Sequence, residues 1–250
     1  MPGILYLVPN VLGPTDPQQA DPLGLVIPVE VQAITANLDY FIAENAKTTR
    51  AFLKVIALTR PLAKPLQEIR IAGLDVNTEA AALPALLAPI LAGEDAGLIS
   101  EAGVPAVADP GANLVRLAHQ HGITVRPLVG PSSLLLALMA GGLNGQRFAF
   151  NGYLPVDAEL RSKRIKLLED RSRQEKQTQL FIETPYRNGT LLEALTKTCQ
   201  PGTMLSIATD LTLPSESVRT QTAGKWKHEL ANGKLPDFHR KPTVFSLLAD

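Results

Sequence analysis

Residues 96–111 read A-G-L-I-S-E-A-G-V-P-A-V-A-D-P-G. The first five residues form a short apolar run typical of a strand, and a long loop of glycine, proline and small residues follows over residues 101–110. Residues 111–121 then show the apolar spacing of an amphipathic helix, which ends at Gly122. A strand, a loop and a helix in this order favour an α/β fold with a mainly parallel sheet.

The same alternation of short strands and helices continues on both sides of this unit. It predicts two α/β domains: residues 1–128 with a mainly parallel sheet, and residues 129–250 with a mixed sheet. We expect Met139 and Phe148 to lie in the core. The predicted strands cover residues 4–8, 40–44, 68–74, 96–100, 123–128, 148–150, 179–183, 204–208, 217–221 and 243–247.

Composition limits the class of protein. The 250 residues are 45% hydrophobic and 19% charged, which supplies a buried core and excludes intrinsic disorder. No apolar run approaches the ~18 residues of a membrane span, and no signal peptide is visible, so we expect a cytoplasmic protein without a membrane partner. The single cysteine, Cys199, excludes a disulfide framework, and the four histidines form no metal-binding pattern.

The net charge is zero, but its distribution is uneven. Residues 1–115 carry 6 basic and 12 acidic side chains, whereas residues 116–250 carry 18 and 12. Overall neutrality argues against a strongly electrostatic nucleic-acid binder. The basic second half still allows a local face that binds an anionic ligand.

Generic cofactor motifs do not occur: there is no dinucleotide-binding glycine motif, P-loop or nucleophile elbow. Three loops with many small residues do follow predicted strands, at residues 8–14, 100–111 and 128–133. Ligands bind at the carboxyl ends of strands in open α/β sheets, where small residues let backbone groups reach a ligand. Three ordinary turns are the alternative, and the length of the second loop favours a ligand site.

Residues 99–111 resemble the signature loop of the tetrapyrrole-methylase superfamily, whose members are S-adenosylmethionine-dependent methyltransferases without the usual glycine-rich loop. Further matches occur in the same order, and together they are similar to the branch of 16S ribosomal RNA cytidine 2′-O-ribose methyltransferases. These matches lie at residues 5–13, 41–50, 127–133, 147–155 and 181–187.

The resemblance implies two α/β domains with S-adenosylmethionine in the cleft between them, usually in a homodimer. It also implies methyl transfer to the ribose of an RNA, which is ribosomal in that branch. The positions that match the family's cofactor loops are Pro9, Ser100, Glu101, Ala102, Gly103, Pro105, Ala106, Gly130, Pro131, Ser132, Ser133, Thr184 and Pro185.

Carboxylates at strand ends are candidates for a catalytic base. Methyl transfer to a hydroxyl requires a group that accepts its proton. Glu44 and Glu183 each end an apolar predicted strand, and Glu101 opens the long loop. A solvated or salt-bridged glutamate is the alternative for each.

Basic side chains provide candidate contacts to RNA. Lys47 and Arg50 lie three residues apart on a predicted helix, hence on one face, and with Arg187 they are candidates to clamp a phosphate. Ordinary surface charge is the alternative. Tyr186 is a candidate to stack on a base, although packing against its own helix is the favoured interpretation.

The chain departs from the ribosomal branch in three places. Asn45, Ala46 and Lys47 stand where that branch has an acidic residue and a Thr-Arg pair, and residues 14–28 are unlike its usual helix lead-in. Residues 209–213 replace a basic R-E-L-T-K segment, which weakens phosphate contact. These departures predict that the chain belongs to a divergent sister group of that branch.

Two other functions remain open. The acceptor is a tetrapyrrole or another small molecule in the first, although an aromatic content of only 5% argues against a large apolar cleft. In the second, the protein is an S-adenosylmethionine-binding, RNA-associated module with weak catalysis, as the missing basic positions at Thr209 and Leu213 indicate.

Overall fold

The computed structural model describes residues 1–16 and 21–250, so part of the divergent segment 14–28 lies outside the described residues. The chain divides into two compact units, Met1–Ser132 and Ser133–Asp250. The sequence placed the boundary at residue 128.

The first unit is a five-stranded sheet in the order β3-β2-β4-β1-β5, and all of its strand pairs are parallel. Helices cover both faces. The strands are β1 (Ile4–Val8), β2 (Tyr40–Ala43), β3 (Arg70–Gly73), β4 (Ala96–Ile99) and β5 (Thr124–Pro127), and the helices are α1 (Val29–Ala36), α2 (Ala46–Thr59), α3 (Leu83–Leu91) and α4 (Ala112–Gln120).

The central strands are apolar on both faces because each face is buried. Every residue of β2 and β4 is buried. One face of the sheet packs against α1 and α2 through Phe52 and Leu53, and the other packs against α3 and α4 through Leu87 and Leu114. Full burial of one such side chain stabilises the fold by about 1.5–3 kcal/mol. Two covered faces explain the continuous apolar runs in the sequence.

The connections leave β1 and β4 in opposite directions along the sheet. The chain passes from β1 across β4 to β2, and from β4 across β1 to β5. The helices of these two connections, α1 and α4, lie on opposite faces. Adjacent parallel strands with diverging connections open a crevice at their carboxyl ends, which is where α/β sheets bind ligands. The loops after β1 and β4 meet at this crevice.

The second unit is a five-stranded mixed sheet in the order β6-β7-β10-β8-β9. β6 and β7 are parallel, and the other pairs are antiparallel. The strands are β6 (Phe148–Tyr153), β7 (Thr178–Ile182), β8 (Met204–Thr209), β9 (Ser217–Thr222) and β10 (Thr243–Leu248), and the helices are α5 (Ser133–Gly141), α6 (Ala158–Glu175), α7 (Asn188–Thr198) and α8 (Ala223–Ala231).

Helices cover both faces of this sheet as well. α6, α7 and α8 pack on the face that carries Phe181 and Phe245. α5 packs on the opposite face, where the hydroxyl of Thr220 donates to the carbonyl of Gly141 at 2.7 Å. In α8, Trp226 is fully buried and its indole Nε1 donates to the carbonyl of Leu205 at 3.0 Å. This tertiary anchor holds a short helix that the sequence did not predict.

The predicted fold class is confirmed, since the first sheet is parallel and the second is mixed. The expectation that Met139 and Phe148 lie in the core is wrong, because they are 78% and 44% exposed. Within the described residues, no helix has the length and apolarity needed to cross a membrane.

Candidate functional site

The loops after β1 and β4 are joined directly. The backbone N–H of Asn10 donates to the carbonyl of Gly103 at 2.8 Å, and the N–H of Gly103 donates to the carbonyl of Asn10 at 3.1 Å. The buried side chain of Asn10 also donates to the carbonyls of Ser100 and Glu101, at 3.1 and 3.0 Å. Asn10 therefore holds the start of the long loop against the end of β1.

The long loop contains unusual backbone conformations. Gly103 has a φ of +70°, and two alanines, Ala106 and Ala108, have φ values of +64° and +66°. A left-handed conformation costs an L-residue about 1–2 kcal/mol, and such strain is concentrated at binding and catalytic sites. The contacts of Asn10 supply part of what holds the loop in this shape.

The third loop closes on the first two. A Cβ at Gly130 would overlap the ring of Pro9, so only glycine fits this approach. A Cβ at Gly103 would lie 3.5 Å from the carbonyl oxygen of Pro131 and 3.2 Å from Leu12. The loops after β1, β4 and β5 therefore meet in one place.

The structure brings most of the predicted cofactor positions together in the first unit. Ser133 is the first residue of α5 and belongs to the second unit, as do Thr184 and Pro185. The positions that share the first unit are Pro9, Ser100, Glu101, Ala102, Gly103, Pro105, Ala106, Gly130, Pro131 and Ser132.

Three carboxylates lie at the same edge of the sheet, beside the start of the long loop. Glu44 follows β2, and its Oε2 accepts from the backbone N–H of Glu101 at 3.3 Å. The side chain of Glu101 accepts from Nδ2 of Asn45 at 2.8 Å. The third carboxylate, Asp109, is hydrogen-bonded to the side chain of Ser100. The strand ends bring together acids that are far apart in sequence.

This clustering changes the acidity of Asp109. Burial and the negative charges of Glu44 and Glu101 raise the pKa of Asp109 to about 6, while the hydrogen bond from Ser100 opposes the change. A carboxylate with a pKa near neutral accepts a proton more readily than an ordinary aspartate. Asp109 therefore joins Glu44 as a candidate base.

The raised pKa of Asp109 predicts a pH-dependent cost to stability. In the unfolded chain this group ionises near 3.8, and in the folded protein it ionises near 6. Well below pH 3.8 the carboxyl is protonated in both states; well above pH 6 it is ionised in both, and the folded state carries the full cost. Asp109→Asn should therefore raise the free energy of unfolding above pH 6 by about 1 kcal/mol, allowing for screening of a half-exposed group. Urea titrations at pH 8 and pH 3 test this, because the gain should nearly vanish at the lower pH.

A cavity of about 380 Å³ lies next to Asp109 in the first unit. It is bounded by the segment after β3, around Asp75 and Thr78, and by the end of the long loop with the first turn of α4. The cluster of carboxylates therefore has open space beside it.

Lys47 and Arg50 lie in the first turn and a half of α2, where both side chains are exposed. Asn45 caps the N-terminus of this helix, and its side-chain oxygen accepts from the N–H of Lys47 at 2.9 Å. The two cations thus stand on one helix face, directly after Glu44. Their predicted contact with RNA remains a proposal.

Glu183 and Arg187 are partners of each other. Oε1 of Glu183 accepts from Nη2 of Arg187 at 2.5 Å, from Nε at 3.0 Å and from the backbone N–H of Thr184 at 2.7 Å. The Glu183 side chain is 1% exposed and that of Arg187 is 29% exposed. The salt-bridged alternative for Glu183 is what the structure shows, so neither a free base at Glu183 nor an unpaired phosphate clamp at Arg187 has support in this geometry.

Tyr186 and the segment 209–213, which lacks basic residues, both lie in the second unit. Tyr186 is 73% exposed, so the favoured interpretation, packing against its own helix, is wrong. Thr209 and Asp210 are buried, and Asp210 pairs with Lys241 at 3.4 Å. The segment that lacks basic residues therefore has a cation from a neighbouring loop beside it.

Sequence reasoning missed three residues of this edge. Asn10, Asn45 and Asp109 were each inside a recognised motif, but none was assigned a role. Asparagine after a strand and aspartate in the D-P-G run before a helix are both signals of a structured turn. Nothing in the local sequence indicates that these three side chains contact other loops.

Comparison with known proteins identifies the family, although no protein-family model matches the chain. A protein named ribosomal RNA small subunit methyltransferase I from Xylella fastidiosa is 30% identical over 231 residues, which are 92% of this chain and 77% of that protein. The chain belongs to the ribosomal RNA small subunit methyltransferase I family. Members from Mesorhizobium japonicum and Escherichia coli O157:H7 are 32% and 30% identical, covering 81% and 89% of this chain and 65% and 70% of their own lengths.

Solved structures show the same fold as this family member. The methyltransferase CobJ has a TM-score of 0.60 at 17% identity, covering 99% of this chain and 94% of that one. A uroporphyrin-III C-methyltransferase from Thermus thermophilus, complexed with S-adenyl homocysteine, has a TM-score of 0.54 at 18% identity, covering 98% and 97%. Such low identities concern the fold alone. Family membership confirms the predicted class of enzyme, a methyltransferase.

Proposed function

We propose that this protein transfers the methyl group of S-adenosylmethionine to a ribose hydroxyl of ribosomal RNA. The observation that carries the proposal is the meeting of three small-residue loops with the cluster of Glu44, Glu101 and Asp109 at the point where the connections of β1 and β4 diverge. The names of the curated relatives support ribosomal RNA as the substrate.

The residues at this point fit the cofactor. When bound, S-adenosylmethionine supplies an electrophilic methyl group on a positively charged sulfonium. The glycines at 103 and 130 leave no side chain between the loops, so backbone groups can approach a ligand there. Carboxylates at the same edge complement a positive charge. Pro9, the 100–106 loop and residues 130–132 are accordingly the proposed cofactor contacts.

Asp109 is the proposed acceptor of the ribose hydroxyl proton, with Glu44 adjusting its acidity. Its pKa of about 6 leaves the carboxylate ionised at neutral pH and keeps it a better proton acceptor than an ordinary aspartate. Glu44 contributes to that pKa by charge repulsion across the cluster. The alternative is that Glu44 itself is the base. Separate substitutions of Asp109 and Glu44 distinguish the two assignments.

Transfer of tritium from labelled S-adenosylmethionine tests the function directly. Incubation with 30S subunits and extracted 16S ribosomal RNA should label the RNA, and nuclease digestion should place the label on the ribose. Label in a small-molecule fraction would replace this function with methylation of a tetrapyrrole or another small acceptor. Cofactor and RNA binding without any transfer would indicate a binding module instead.

Lys47 and Arg50 are the proposed phosphate contacts on α2. We expect Lys47→Glu combined with Arg50→Glu to weaken RNA binding and to reduce the salt dependence of log K by about 1.4, since each lost single-strand contact contributes about 0.7. Affinity for S-adenosylmethionine should stay within a few-fold. Anisotropy titrations with RNA at several salt concentrations measure the first effect, and calorimetry measures the second. Unchanged RNA affinity would remove α2 from the RNA-binding surface.

Assembly into a homodimer is also part of the proposal. α5 exposes Leu135 and Met139, at 52% and 78%, one helical turn apart. Apolar side chains exposed together favour burial against another surface, and a second copy is the partner implied by the resemblance. The predicted cytoplasmic location follows from the ribosomal substrate and stays a prediction.

A further inference from the structure

An aromatic ring and a guanidinium are stacked on the surface of the second unit. The ring of Tyr186 is 73% exposed, and the guanidinium carbon of Arg240 lies 5.5 Å from its centroid. Tyr186 follows β7 and Arg240 precedes β10. Because these strands are antiparallel, with Ile182 opposite Val244, the two loops lie at one edge of the sheet. We refer to Tyr186 and Arg240 as the Tyr–Arg platform.

Hydrogen bonds between the two loops hold the platform in place. The backbone N–H of Arg240 donates to the carbonyl of Pro185 at 3.3 Å. Nδ2 of the buried Asn188 donates to the carbonyls of Phe238 and Lys241, each at 2.9 Å. Tyr186 itself lies in a single 3-10 turn, Pro185–Arg187. The platform is therefore preorganised and loses little conformational entropy when it binds a ligand.

Two other cations of this edge, Lys241 and Arg187, have carboxylate partners. Lys241 pairs with Asp237 at 3.2 Å and with Asp210 at 3.4 Å. Arg187 is bound to Glu183. Among the residues that the structure describes, no carboxylate forms a salt bridge with Arg240, whose exposed side chain stacks on the Tyr186 ring. An exposed positive charge thus lies beside an exposed aromatic face.

We propose that the Tyr–Arg platform binds one unpaired nucleotide of the RNA substrate, with the base stacked on Tyr186 and a phosphate held by Arg240. Unpaired bases stack on exposed aromatic rings and guanidinium planes, and arginine pairs with phosphate oxygens. The inference rests on the proposed function, in which the substrate is RNA. It adds a second contact surface, on a different unit from Lys47 and Arg50.

Anisotropy with a fluorescein-labelled single-stranded RNA of about twelve nucleotides tests the platform, and a duplex of the same sequence is the comparison probe. Tyr186→Ala should weaken single-strand binding about 10-fold or more, with the salt dependence unchanged, because stacking carries no charge. Tyr186→Phe keeps the ring and should bind within about twofold of the wild type. Arg240→Ala should weaken binding and reduce the salt slope by about 0.7.

Lys227→Ala is the matched control, because it removes one exposed cation from a different element, α8, and should leave binding unchanged. Thermal unfolding of each variant verifies folding, which an exposed side chain should hardly affect. Equal affinity of Tyr186→Ala and wild type for the single strand, or the same loss with the duplex, would overturn the platform.

The failure of the platform is distinguishable from that of the proposed function. Wild-type protein that binds RNA independently of Tyr186 overturns the platform alone. Binding that depends on Tyr186, without tritium transfer to RNA, supports the platform and overturns the methylation of RNA. Wild-type protein with no measurable affinity for RNA at low salt overturns both.

Discussion

Asp109→Asn should lower kcat for methyl transfer by about 10²–10⁴-fold, the usual contribution of a positioned general base. The amide cannot accept the hydroxyl proton, whereas its shape and its hydrogen bonding to Ser100 are nearly those of the acid. The KM for S-adenosylmethionine should change little. Single-turnover tritium transfer to 16S ribosomal RNA at saturating cofactor measures the effect. Since the variant is expected to be the more stable protein above pH 6, unfolding cannot account for the loss.

Two further substitutions make this assignment falsifiable. Glu44→Gln removes one charge that raises the pKa of Asp109, so the acid limb of the kcat profile should move to lower pH with a modest loss at pH 8. Glu30→Gln changes an exposed carboxylate in the first turn of α1. It should leave the acid limb of the kcat profile and the activity at pH 8 unchanged. Full activity of Asp109→Asn together with a large loss in Glu44→Gln would transfer the role of base to Glu44.

Gly103→Val should abolish measurable binding of S-adenosylmethionine while the protein stays folded. Valine resists the φ of +70° at this position, and its Cβ would lie 3.2 Å from Leu12 and 3.5 Å from the carbonyl oxygen of Pro131. The meeting point of the three loops would have to open. Calorimetric titration of S-adenosylmethionine and its demethylated product measures the effect, and a wild-type affinity in the micromolar range corresponds to about −8 kcal/mol.

Gly122→Val is the matched control for Gly103→Val. Gly122 has nearly the same φ, +68°, but a Cβ there meets no atom within 4 Å, and it lies at the end of α4. Both variants should lose stability through backbone strain, and only Gly103→Val should lose the cofactor. If the folded Gly103→Val protein binds the cofactor as tightly as the wild type, this loop is not the cofactor site. A wild type that binds neither ligand would refute the site as a whole.

Much of the fold could be predicted because burial leaves a local pattern in the sequence. β1 begins and ends where the apolar run at residues 4–8 does, and β2 and β4 end one residue before their predicted limits. Both strands of a buried parallel pair must be apolar, so each strand can be recognised from its own apolar run in the sequence. α8 left no such pattern, because only Ala223 and Trp226 of its residues are buried, and Trp226 is held by its hydrogen bond to Leu205.

The sequence predicted which loops form the candidate site, but it did not predict the contacts between their side chains. Small residues at 100–106 and 130–132 identify the ends of strands where a ligand can approach, and this depends only on local composition. Which acid becomes a base depends on its neighbours. Asp109 acquires its raised pKa from burial and then from the charge of Glu44, 65 positions away in the sequence, and no motif records either cause.

The sequence by itself determined the alternation of strands and helices, the family motifs and the positions of the loops, because each follows from local composition and spacing. Only the tertiary structure decided that Glu183 is occupied by Arg187, that Tyr186 is exposed beneath Arg240, and that Asp109 lies among other carboxylates. The physical reason is that charge pairing, exposure and acidity depend on distances between side chains. Strand order sets those distances, and strand order brings together residues that are far apart along the chain.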